Sequence, residues 1–417
     1  MFFSYFCNVN LKDQGTLIKK MTYYLLSNRQ KNRNARCLIL RVACLAGMLI
    51  LSIGAGAQHK LCNPGATEEA RKVYQVLWNV YGKQALSATV ANVDWNIKEA
   101  ENVYEWTGKW PVMNVFDFIN FRSSKDVNPN GWLDYSDIST VESWWKQGGL
   151  VGCMWHWNMT ANDGTSQTCT PGTEPGQTSF DISRIDDTNS DEYKQVIKDI
   201  DQIAKYLGKM QEAGIPVIWR PLHEAAGNTY EYEGGQAWFW WGAKGAGPFK
   251  KLWRLMYDRL VNHHKLNNLI WVWTSQAGFD DLCNAYVADS AWYPGDEYVD
   301  VVARDNYAAL EYPLKKEYDA LSAKYPGKIV ALAECGNGDE VKMAPWSEIW
   351  NEGSRWCWFM TWYDYSYNAG QSQEHKFAGK EWWTDAFNSG TVIDRTAFKP
   401  MLDKTYKYVL TKNNKVL

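Results

Sequence analysis

Eight short apolar segments that alternate with amphipathic stretches constrain the fold of this chain more than any other feature of its sequence. Each segment has the length of a β-strand and is hydrophobic almost throughout, as expected of strands that are covered on both faces. The segments are residues 85–92, 110–118, 150–158, 215–224, 269–276, 299–307, 328–335 and 357–364. Amphipathic helical patterns, such as those of residues 192–213, 249–264 and 314–325, lie between them.

This alternation predicts an α/β fold, a (β/α)8 TIM barrel that forms a single domain over residues 58–417. An open doubly wound sheet is the alternative, but such a sheet usually binds a nucleotide, and no G-x-G-x-x-G motif follows the first predicted strand. Residues 58–82 predict a helical preface that plugs or flanks the barrel. Residues 160–189 and 225–247 interrupt the regular spacing and predict long loops near a binding cleft.

Polar and aromatic residues follow several of the predicted strands at the point where each apolar segment ends. They are Asn92, Asp94, Trp95, Asp117, His156, Trp157, Arg220, His223, Glu224, Asp305, Tyr307, Glu334, Trp362 and Asp364. In a parallel barrel the carboxyl ends of the strands meet at one rim, and that rim carries the active site. The sequence therefore predicts a functional site at this rim.

Two carboxylates stand out among these residues because they occupy equivalent places on different strands. Glu224 ends the fourth predicted strand and Glu334 ends the seventh. Two such groups can flank a glycosidic bond, about 5–5.5 Å apart in a retaining enzyme and about 6.5–9.5 Å apart in an inverting one. A structural salt bridge to Arg220 is the alternative role for either residue, but the pair favours catalysis.

The composition favours a carbohydrate ligand over a nucleic acid. The chain has 24 Trp and 24 Tyr, and flat aromatic rings can stack on sugars, although a core rich in Trp is the alternative. Residues 1–41 hold eight basic side chains and only Asp13 as an acid, which leaves 36 basic and 46 acidic residues in the rest. No basic surplus remains to neutralise phosphates, so we expect no nucleic acid partner.

The basic N-terminal segment is followed by an apolar stretch, residues 42–57, that ends in the A-x-A arrangement of Ala55 and Ala57. This order is typical of a secretory signal peptide cleaved after Ala57, so we expect export to the periplasm or the outside. A retained membrane anchor is the alternative, but the stretch is shorter than the roughly 20 apolar residues of a spanning helix. We expect no stable membrane insertion of the mature protein, and its six Cys permit disulfides whose pairing stays open.

The sequence predicts no metal site and no organic cofactor. His223 and Glu224 begin like the zinc motif H-E-x-x-H, but Gly227 stands where the second His is needed. Residues 242–247 begin like a phosphate-binding loop and then continue with Pro248 instead of Lys. A flexible turn explains that segment better.

Several motifs give the chain a specific resemblance to glycoside hydrolase family 26, a group best known for endo-β-1,4-mannanases. The motifs are M-W-H-W-N from Met154, R-P-L-H-E from Arg220, W-F-W-W-G from Trp238, D-N-Y from Asp305, A-E-C-G from Ala333 and W-Y-D from Trp362. The likeness extends from about Leu77 to Asp364. It implies a (β/α)8 barrel and hydrolysis by a retaining double displacement.

The resemblance also implies roles for individual residues. Glu224 would be the general acid/base, Glu334 the nucleophile, and Tyr307 a contact of the nucleophile. The residues implied in substrate binding are His156, His223, Trp240, Trp241 and Trp362, with Trp362 as the floor of the subsite and Trp240 or Trp241 as a stacking surface.

A β-mannan is therefore the expected polysaccharide substrate: mannan, glucomannan or galactomannan. Mixed-linkage β-glucan and β-1,3-xylan are alternatives within the same family. A non-catalytic carbohydrate-binding protein is an alternative of another class, although such a protein would be expected to have lost one of the two carboxylates. The sequence leaves the oligomeric state and the balance of endo and exo cleavage open.

Overall fold

Eight parallel strands close into a barrel in the structure, which is a computed structural model. It describes residues 59–227, 237–276, 278–280, 285–287, 290–307, 314–339 and 341–413, so the predicted signal peptide lies outside the described residues. The strands are β1 Ala85–Val90, β2 Met113–Asp117, β3 Leu150–Trp155, β4 Val217–Pro221, β5 Leu269–Ser275, β6 Val301–Tyr307, β7 Ile329–Gly336 and β8 Trp358–Thr361. Each pairs with its neighbour in sequence, and β8 also pairs with β1, which closes the sheet.

Helices alternate with these strands along the chain. They are α1 Glu68–Val80, α2 Lys98–Thr107, α3 Ser139–Lys146, α4 Asp191–Glu212, α5 Ala246–Tyr257, α6 Leu314–Lys324, α7 Trp346–Asn351, α8 Lys380–Asn388 and α9 Arg395–Asn413. A short strand, Val392–Ile393, pairs with the start of β1. The prediction of a (β/α)8 barrel is confirmed, and His59–Leu417 forms one compact unit.

Apolar side chains fill the barrel on both faces of its sheet, as the near-continuous hydrophobicity of the strands requires. One cluster fills the interior and includes Leu86, Ile218 and Val272. A second cluster packs the outer face of the sheet against the helices and includes Trp219 and Leu207. The strand segments were predictable from sequence because both clusters draw on every strand.

Tryptophan contributes mainly to the core. The largest fully buried side chains of the described residues are all Trp: Trp144, Trp155, Trp157, Trp219, Trp240, Trp241, Trp253, Trp271, Trp273, Trp346, Trp356 and Trp383. The abundance of Trp therefore reflects packing more than sugar binding, and the alternative of a Trp-rich core applies to most of these residues.

The helical preface closes the floor of the barrel, opposite the rim at which the strands end. Apolar residues of α1, including Leu77, belong to the same cluster as the barrel interior. Asp300, at the start of β6, accepts hydrogen bonds from the backbone amides of Cys62 and Trp271 at 2.5 and 2.8 Å. The hydroxyl of Tyr74 donates to the carbonyl of Asp300. Burial raises the pKa of the Asp300 carboxyl group to about 6.

The five cysteines that the structure describes, Cys62, Cys153, Cys169, Cys335 and Cys357, all carry free thiols. Disulfides are therefore not formed among these five, and Cys283 lies outside the described residues. Within the described part of the chain, no helix has the length and apolar character needed to cross a membrane.

Candidate active site

The turn after β4 carries Glu224 in a strained backbone conformation. The strand ends at Pro221, three residues earlier than residue 224 where the apolar segment was expected to end. Leu222 and Glu224 both have positive φ angles, of 50° and 51°, and non-glycine residues avoid this region at a cost of about 1–2 kcal/mol each. This turn lifts the Glu224 side chain over the mouth of the barrel.

The motif from Trp238 to Gly242 packs against that turn. Trp241 Nε1 donates a hydrogen bond of 2.8 Å to the carbonyl of His223, and Trp240 Nε1 donates one of 2.6 Å to the carbonyl of Trp157. A Cβ atom at Gly242 would lie 1.9 Å from a backbone oxygen in the turn, so only glycine permits this approach. The motif therefore fixes the backbone on both sides of the site.

A structural role replaces the predicted stacking role of Trp240 and Trp241. Both side chains are fully buried, so neither ring has a face open to a sugar. The neighbouring aromatics occupy more open positions: Phe239 is half-buried and packs 5.1 Å from the ring of His223, while Trp238 is partly exposed. The sequence could not separate these four adjacent aromatic residues, because a turn has no fixed periodicity of side-chain direction.

Glu334 reaches the same place from β7. The pairing of β6 with β7 shifts between Arg304 and Asp305, so that Arg304 lies opposite Leu332 and Asp305 opposite Glu334. Ala333 is therefore an extra residue, and bulges of this kind redirect the side chains that follow them. As a result, Asp305 and Glu334 both face the centre of the mouth.

The two glutamates lie close together. One carboxylate oxygen each from Glu224, Asp305 and Glu334 form a group in which all separations are within 4.8 Å. An approach this close is compatible with the pair of carboxyl groups, about 5–5.5 Å apart, that a retaining glycosidase uses.

Arg220 neutralises much of the negative charge of this cluster. Its guanidinium group donates from Nη1 to Glu334 Oε1 at 2.7 Å and from Nη2 to Asp305 Oδ2. Nε donates to the hydroxyl of Thr274 at 2.9 Å, which orients the group. The salt bridge that was considered as an alternative to catalysis is thus present, and it coexists with a catalytic geometry.

The remaining carboxyl group, Glu224, makes no ion pair of this kind with any residue that the structure describes. Its pKa is raised well above the ordinary value, first by burial and then by the negative charges of Asp305 and Glu334. Burial and the charge of Glu334 also raise the pKa of Asp305, to about 7, although Arg220 opposes the rise. Mutual repulsion in this cluster therefore favours protonation of Glu224 and Asp305.

Tyr307 completes the contacts of Glu334. Its hydroxyl donates a hydrogen bond of 2.7 Å to Glu334 Oε2, so both oxygens of that carboxylate accept from fixed donors. Phe377 packs against the Tyr307 ring at 5.9 Å. A Cβ atom at Gly336 would lie 2.8 Å from Phe377, which explains the glycine after Glu334 in the motif A-E-C-G.

Two histidines form a chain with Asp117 beside the glutamates. His156 Nδ1 is hydrogen-bonded to Asp117 Oδ2, and its Nε2 lies 3.1 Å from Nε2 of His223. Burial opposes protonation of His156, but the charge of Asp117 and its hydrogen bond raise the pKa above the ordinary value. Burial, His156 and Arg220 together lower the pKa of His223. His223 is therefore neutral beside Glu224.

Trp362 lies beside these histidines. Its half-buried ring lies 6.0 Å from the ring of His156 and stacks on Tyr363 at 5.1 Å. The structure thus brings together His156, His223, Glu224, Tyr307, Glu334 and Trp362 from the set predicted by sequence.

Four residues around the site had no assigned functional role at the level of sequence: Asp117, Arg220, Asp305 and Phe377. Asp117 and Asp305 were recognised as polar strand ends, and Arg220 as an ion-pair partner. That signal located them on the rim but could not reveal their partners. Phe377 lies far along the chain in a loop after β8, and no local pattern marks it.

Replacing Arg220 by Leu should reduce the free energy of unfolding by about 3–5 kcal/mol near pH 7, because two buried carboxylates lose their counter-charge. The loss should shrink at pH 5, since a protonated carboxyl group needs no cation. Urea unfolding at both pH values measures the difference. Arg184→Leu is the matched control, since its guanidinium group is exposed and its ion pair with Glu192 contributes no more than about 1 kcal/mol. Equal losses in the two variants would contradict the account.

Comparisons with known proteins agree with this geometry. The family model described as glycosyl hydrolase family 26 matches residues 62–388. A mannan endo-1,4-beta-mannosidase of Thermothelomyces thermophilus is 36% identical over 309 residues, covering 73% of this chain and 57% of the relative. Mannan endo-1,4-beta-mannosidase A of a Piromyces species is 32% identical, covering 72% of this chain and 45% of the relative. The chain thus spans about half the length of these curated relatives.

Solved structures give the same result. The family 26 domain of an endo-beta-mannanase/endo-beta-glucanase from Prevotella bryantii is 37% identical, with a TM-score of 0.71, and the match covers 81% of this chain and 98% of that domain. A beta-mannanase from a symbiotic protist of the termite Reticulitermes speratus, solved with a gluco-manno-oligosaccharide, is 26% identical with a TM-score of 0.66, covering 82% and 97% of the two chains. This chain therefore belongs to glycoside hydrolase family 26.

Proposed function

We propose that this protein is a retaining endo-β-1,4-mannanase that hydrolyses mannan, glucomannan or galactomannan. The observation that carries the proposal is the arrangement of Glu224 and Glu334, whose carboxylate oxygens approach within 4.8 Å at the open mouth of the barrel. The raised pKa of Glu224 favours its protonated form, and Glu334 is held by two donors, which is the division of roles that a double displacement needs.

In the first step Glu334 attacks the anomeric carbon while the bond from that carbon to the leaving oxygen breaks. Arg220 and Tyr307 hold the two oxygens of Glu334 and so orient it for attack. Glu224 gives its proton to the leaving oxygen, so the leaving sugar departs as a neutral alcohol. The products of this step are a glycosyl ester on Glu334 and an ionised Glu224.

In the second step Glu224 acts as a base. It takes a proton from water, whose oxygen attacks the anomeric carbon and displaces Glu334. Attack from the face that the leaving group occupied restores the original configuration, and Glu224 regains the proton it gave away. The neutral state of His223 matters here, because a cation next to Glu224 would stabilise its charged form and make it a weaker base.

The mannan assignment is supported by the relatives, several of which are described as mannan endo-1,4-beta-mannosidases. Mixed-linkage β-glucan and β-1,3-xylan remain alternatives of the same chemistry. A carbohydrate-binding protein without activity is disfavoured by the site, since both carboxylates, the arginine and the tyrosine are in contact.

Release of reducing sugar from a panel of purified polysaccharides tests the substrate class. We expect activity on linear mannan, glucomannan and galactomannan, and at most weak activity on mixed-linkage β-glucan and β-1,3-xylan. A fall in the viscosity of galactomannan before much reducing sugar appears indicates endo cleavage. Activity on β-glucan alone would overturn the substrate, and binding without release on every polymer would overturn the enzymatic function.

Substitutions of the two glutamates should have different effects on substrates that differ only in their leaving group. Glu334→Ala should abolish hydrolysis of both mannan and a dinitrophenyl mannooligosaccharide, because no nucleophile remains. Glu224→Ala should lower the rate on mannan by about 10²–10⁴-fold, the usual contribution of a general acid. It should spare the first step on the dinitrophenyl substrate, which needs no proton, so a burst of dinitrophenol should precede slow turnover.

The dependence of kcat/KM on pH provides the complementary measurement. Glu224 must be protonated to act, so activity on mannan should fall as the pH rises through its raised pKa. That decline should be absent from the dinitrophenol burst of Glu224→Ala. Glu352→Ala, at an exposed position after α7, is the control and should behave like the wild type. Near-normal hydrolysis of mannan by either glutamate variant would exclude the mechanism.

We further propose that the protein is exported and that residues 1–57 are removed as a signal peptide. The basic start, the apolar stretch and the A-x-A arrangement of Ala55 and Ala57 support this proposal. N-terminal sequencing of the mature protein from the native host should begin at Gln58. A mature chain that starts earlier would contradict the cleavage site, and recovery of full-length protein from the cytoplasm would contradict export.

A further inference from the structure

A buried pair, His375 and Glu99, holds the loop that follows β8. The His375 side chain is 1% exposed and that of Glu99, on α2, is 9% exposed. Nε2 of the imidazole lies 3.0 Å from Glu99 Oε2, and Glu99 Oε1 accepts a hydrogen bond of 3.2 Å from the backbone amide of Asp364. The rings of Trp106 and Tyr367 pack edge-on against the imidazole at 5.8 and 5.3 Å. The pair therefore joins an outer helix to this loop.

The hydrogen bonds of His375 define which of its nitrogens carries the proton. Nδ1 accepts from the backbone amides of Phe377 and Ala378, at 3.2 and 3.0 Å. A ring nitrogen that accepts carries no proton, so the proton of the neutral imidazole is on Nε2 and is donated to Glu99. Both nitrogens thus have partners that fix the path of the backbone from His375 to Ala378.

The segment fixed in this way is bonded to the end of β7, close to the nucleophile. The carbonyl of Phe377 accepts a hydrogen bond of 2.8 Å from the amide of Asn337, and Asn337 Nδ2 donates to the carbonyl of Lys376 at 3.1 Å. Asn337 directly follows β7, the strand that carries Glu334. The loop after β8 and the end of β7 therefore keep one position relative to each other.

The Phe377 side chain connects this segment to Tyr307. The two rings lie 5.9 Å apart and are inclined by 65°. The hydroxyl of Tyr307 donates to Glu334 Oε2 at 2.7 Å, and a ring that is packed on one side keeps that hydroxyl aimed at the carboxylate. The contacts form one series, whose members in order are Glu99, His375, Phe377, Tyr307 and Glu334.

A purely structural role for His375 is the alternative, because a buried histidine that bonds a carboxylate and two amides also stabilises its loop. The two roles make different predictions. A structural role predicts that the loss of His375 slows the reaction by the same factor whether or not Tyr307 can donate. A role that acts through Tyr307 predicts a loss only while the tyrosine hydroxyl is present.

We propose that His375 is a positioning residue for the nucleophile. It holds Phe377 against Tyr307, and this contact keeps the hydroxyl of Tyr307 hydrogen-bonded to Glu334 during attack on the anomeric carbon. Glu99 sets the orientation of the imidazole. The inference rests on the proposed retaining mechanism and deepens it, because the residues that orient Glu334 then extend to the outer helix α2.

A double-mutant cycle on the dinitrophenyl mannooligosaccharide tests whether His375 acts through Tyr307. We expect His375→Leu to lower kcat/KM by about tenfold in the wild-type background, since misplacement of reacting groups can slow catalysis by up to about 10²-fold. In Tyr307→Phe, which has no hydroxyl to aim, the same substitution should cost less than about twofold. Competitive inhibition by mannobiose, which measures binding without chemistry, should stay within about twofold throughout.

Two further variants separate positioning from damage to the fold. His375→Asn should retain most of the activity, because its side-chain oxygen can replace Nδ1 as the acceptor for the two amides. Phe377→Ala removes the ring that contacts Tyr307 and leaves the bond between His375 and Glu99 in place. Phe377 is only half-buried, so we expect this variant to fold and to show the same loss with the same dependence on Tyr307.

The matched control is His264→Leu. His264 is also paired with a carboxylate, with its Nε2 2.7 Å from Asp201 Oδ1, but it precedes β5 at the floor of the barrel. It should change neither kcat/KM nor inhibition by mannobiose. Equal losses from His375→Leu in the wild-type and Tyr307→Phe backgrounds would overturn the proposal. Weaker inhibition by mannobiose that accounts for the whole loss would overturn it as well.

These outcomes differ from those of a failed mannanase proposal. A wild type that cleaves the matching glucosyl substrate and not the mannosyl one would overturn the substrate, and the cycle is then measured on the glucoside. A wild type inactive on both would overturn the retaining mechanism and the positioning role with it. An active wild type whose variants lose rate by independent factors would overturn the positioning role alone.

Discussion

The active site depends on one buried guanidinium group placed among carboxylates. Arg220 fixes one oxygen of Glu334, pairs with Asp305 and is itself held by Thr274. Three acidic groups in such a small volume repel one another, and burial together with this repulsion raises the pKa of Glu224 well above its ordinary value and that of Asp305 to about 7, although the charge of Arg220 opposes the rise. The same interaction therefore stabilises the fold around the mouth and assigns opposite roles to two residues of one type.

The barrel supplies this arrangement through irregularities in an otherwise regular sheet. A shift in register between β6 and β7 turns Asp305 and Glu334 towards the centre. A second shift, between β7 and β8, lies in the same region. The floor of the barrel is closed instead by the apolar packing of α1 and by hydrogen bonds from backbone amides to Asp300. The strands pair regularly towards the floor and irregularly at the rim, so one scaffold can be both stable and catalytically active.

Much of this organisation could be predicted from the sequence, and the remainder had identifiable causes. The strands were evident because the sheet is covered on both faces, and Glu224 and Glu334 because each follows an apolar run. The burial of Trp240 and Trp241 could not be predicted, since the sequence does not reveal which of several adjacent aromatic residues in a turn points inward. The ion pairs of Arg220 with Asp305 and Glu334 could not be predicted either, because the register shift that aligns the two acids is a property of the paired strands. Phe377 reaches Tyr307 through a loop whose path no periodicity records.

The strained turn at Leu222 and Glu224 has a consequence for attempts to make this protein more heat-resistant. Trp95, at the end of β1, also has a positive φ, so three of the four non-glycine residues with this conformation among the described residues lie on the rim. Design methods that favour relaxed backbones would select these positions first for substitution. Gains in melting temperature obtained there are expected to cost turnover, whereas the helical exterior and the sealed floor offer sites where thermal tolerance can be improved independently of the chemistry.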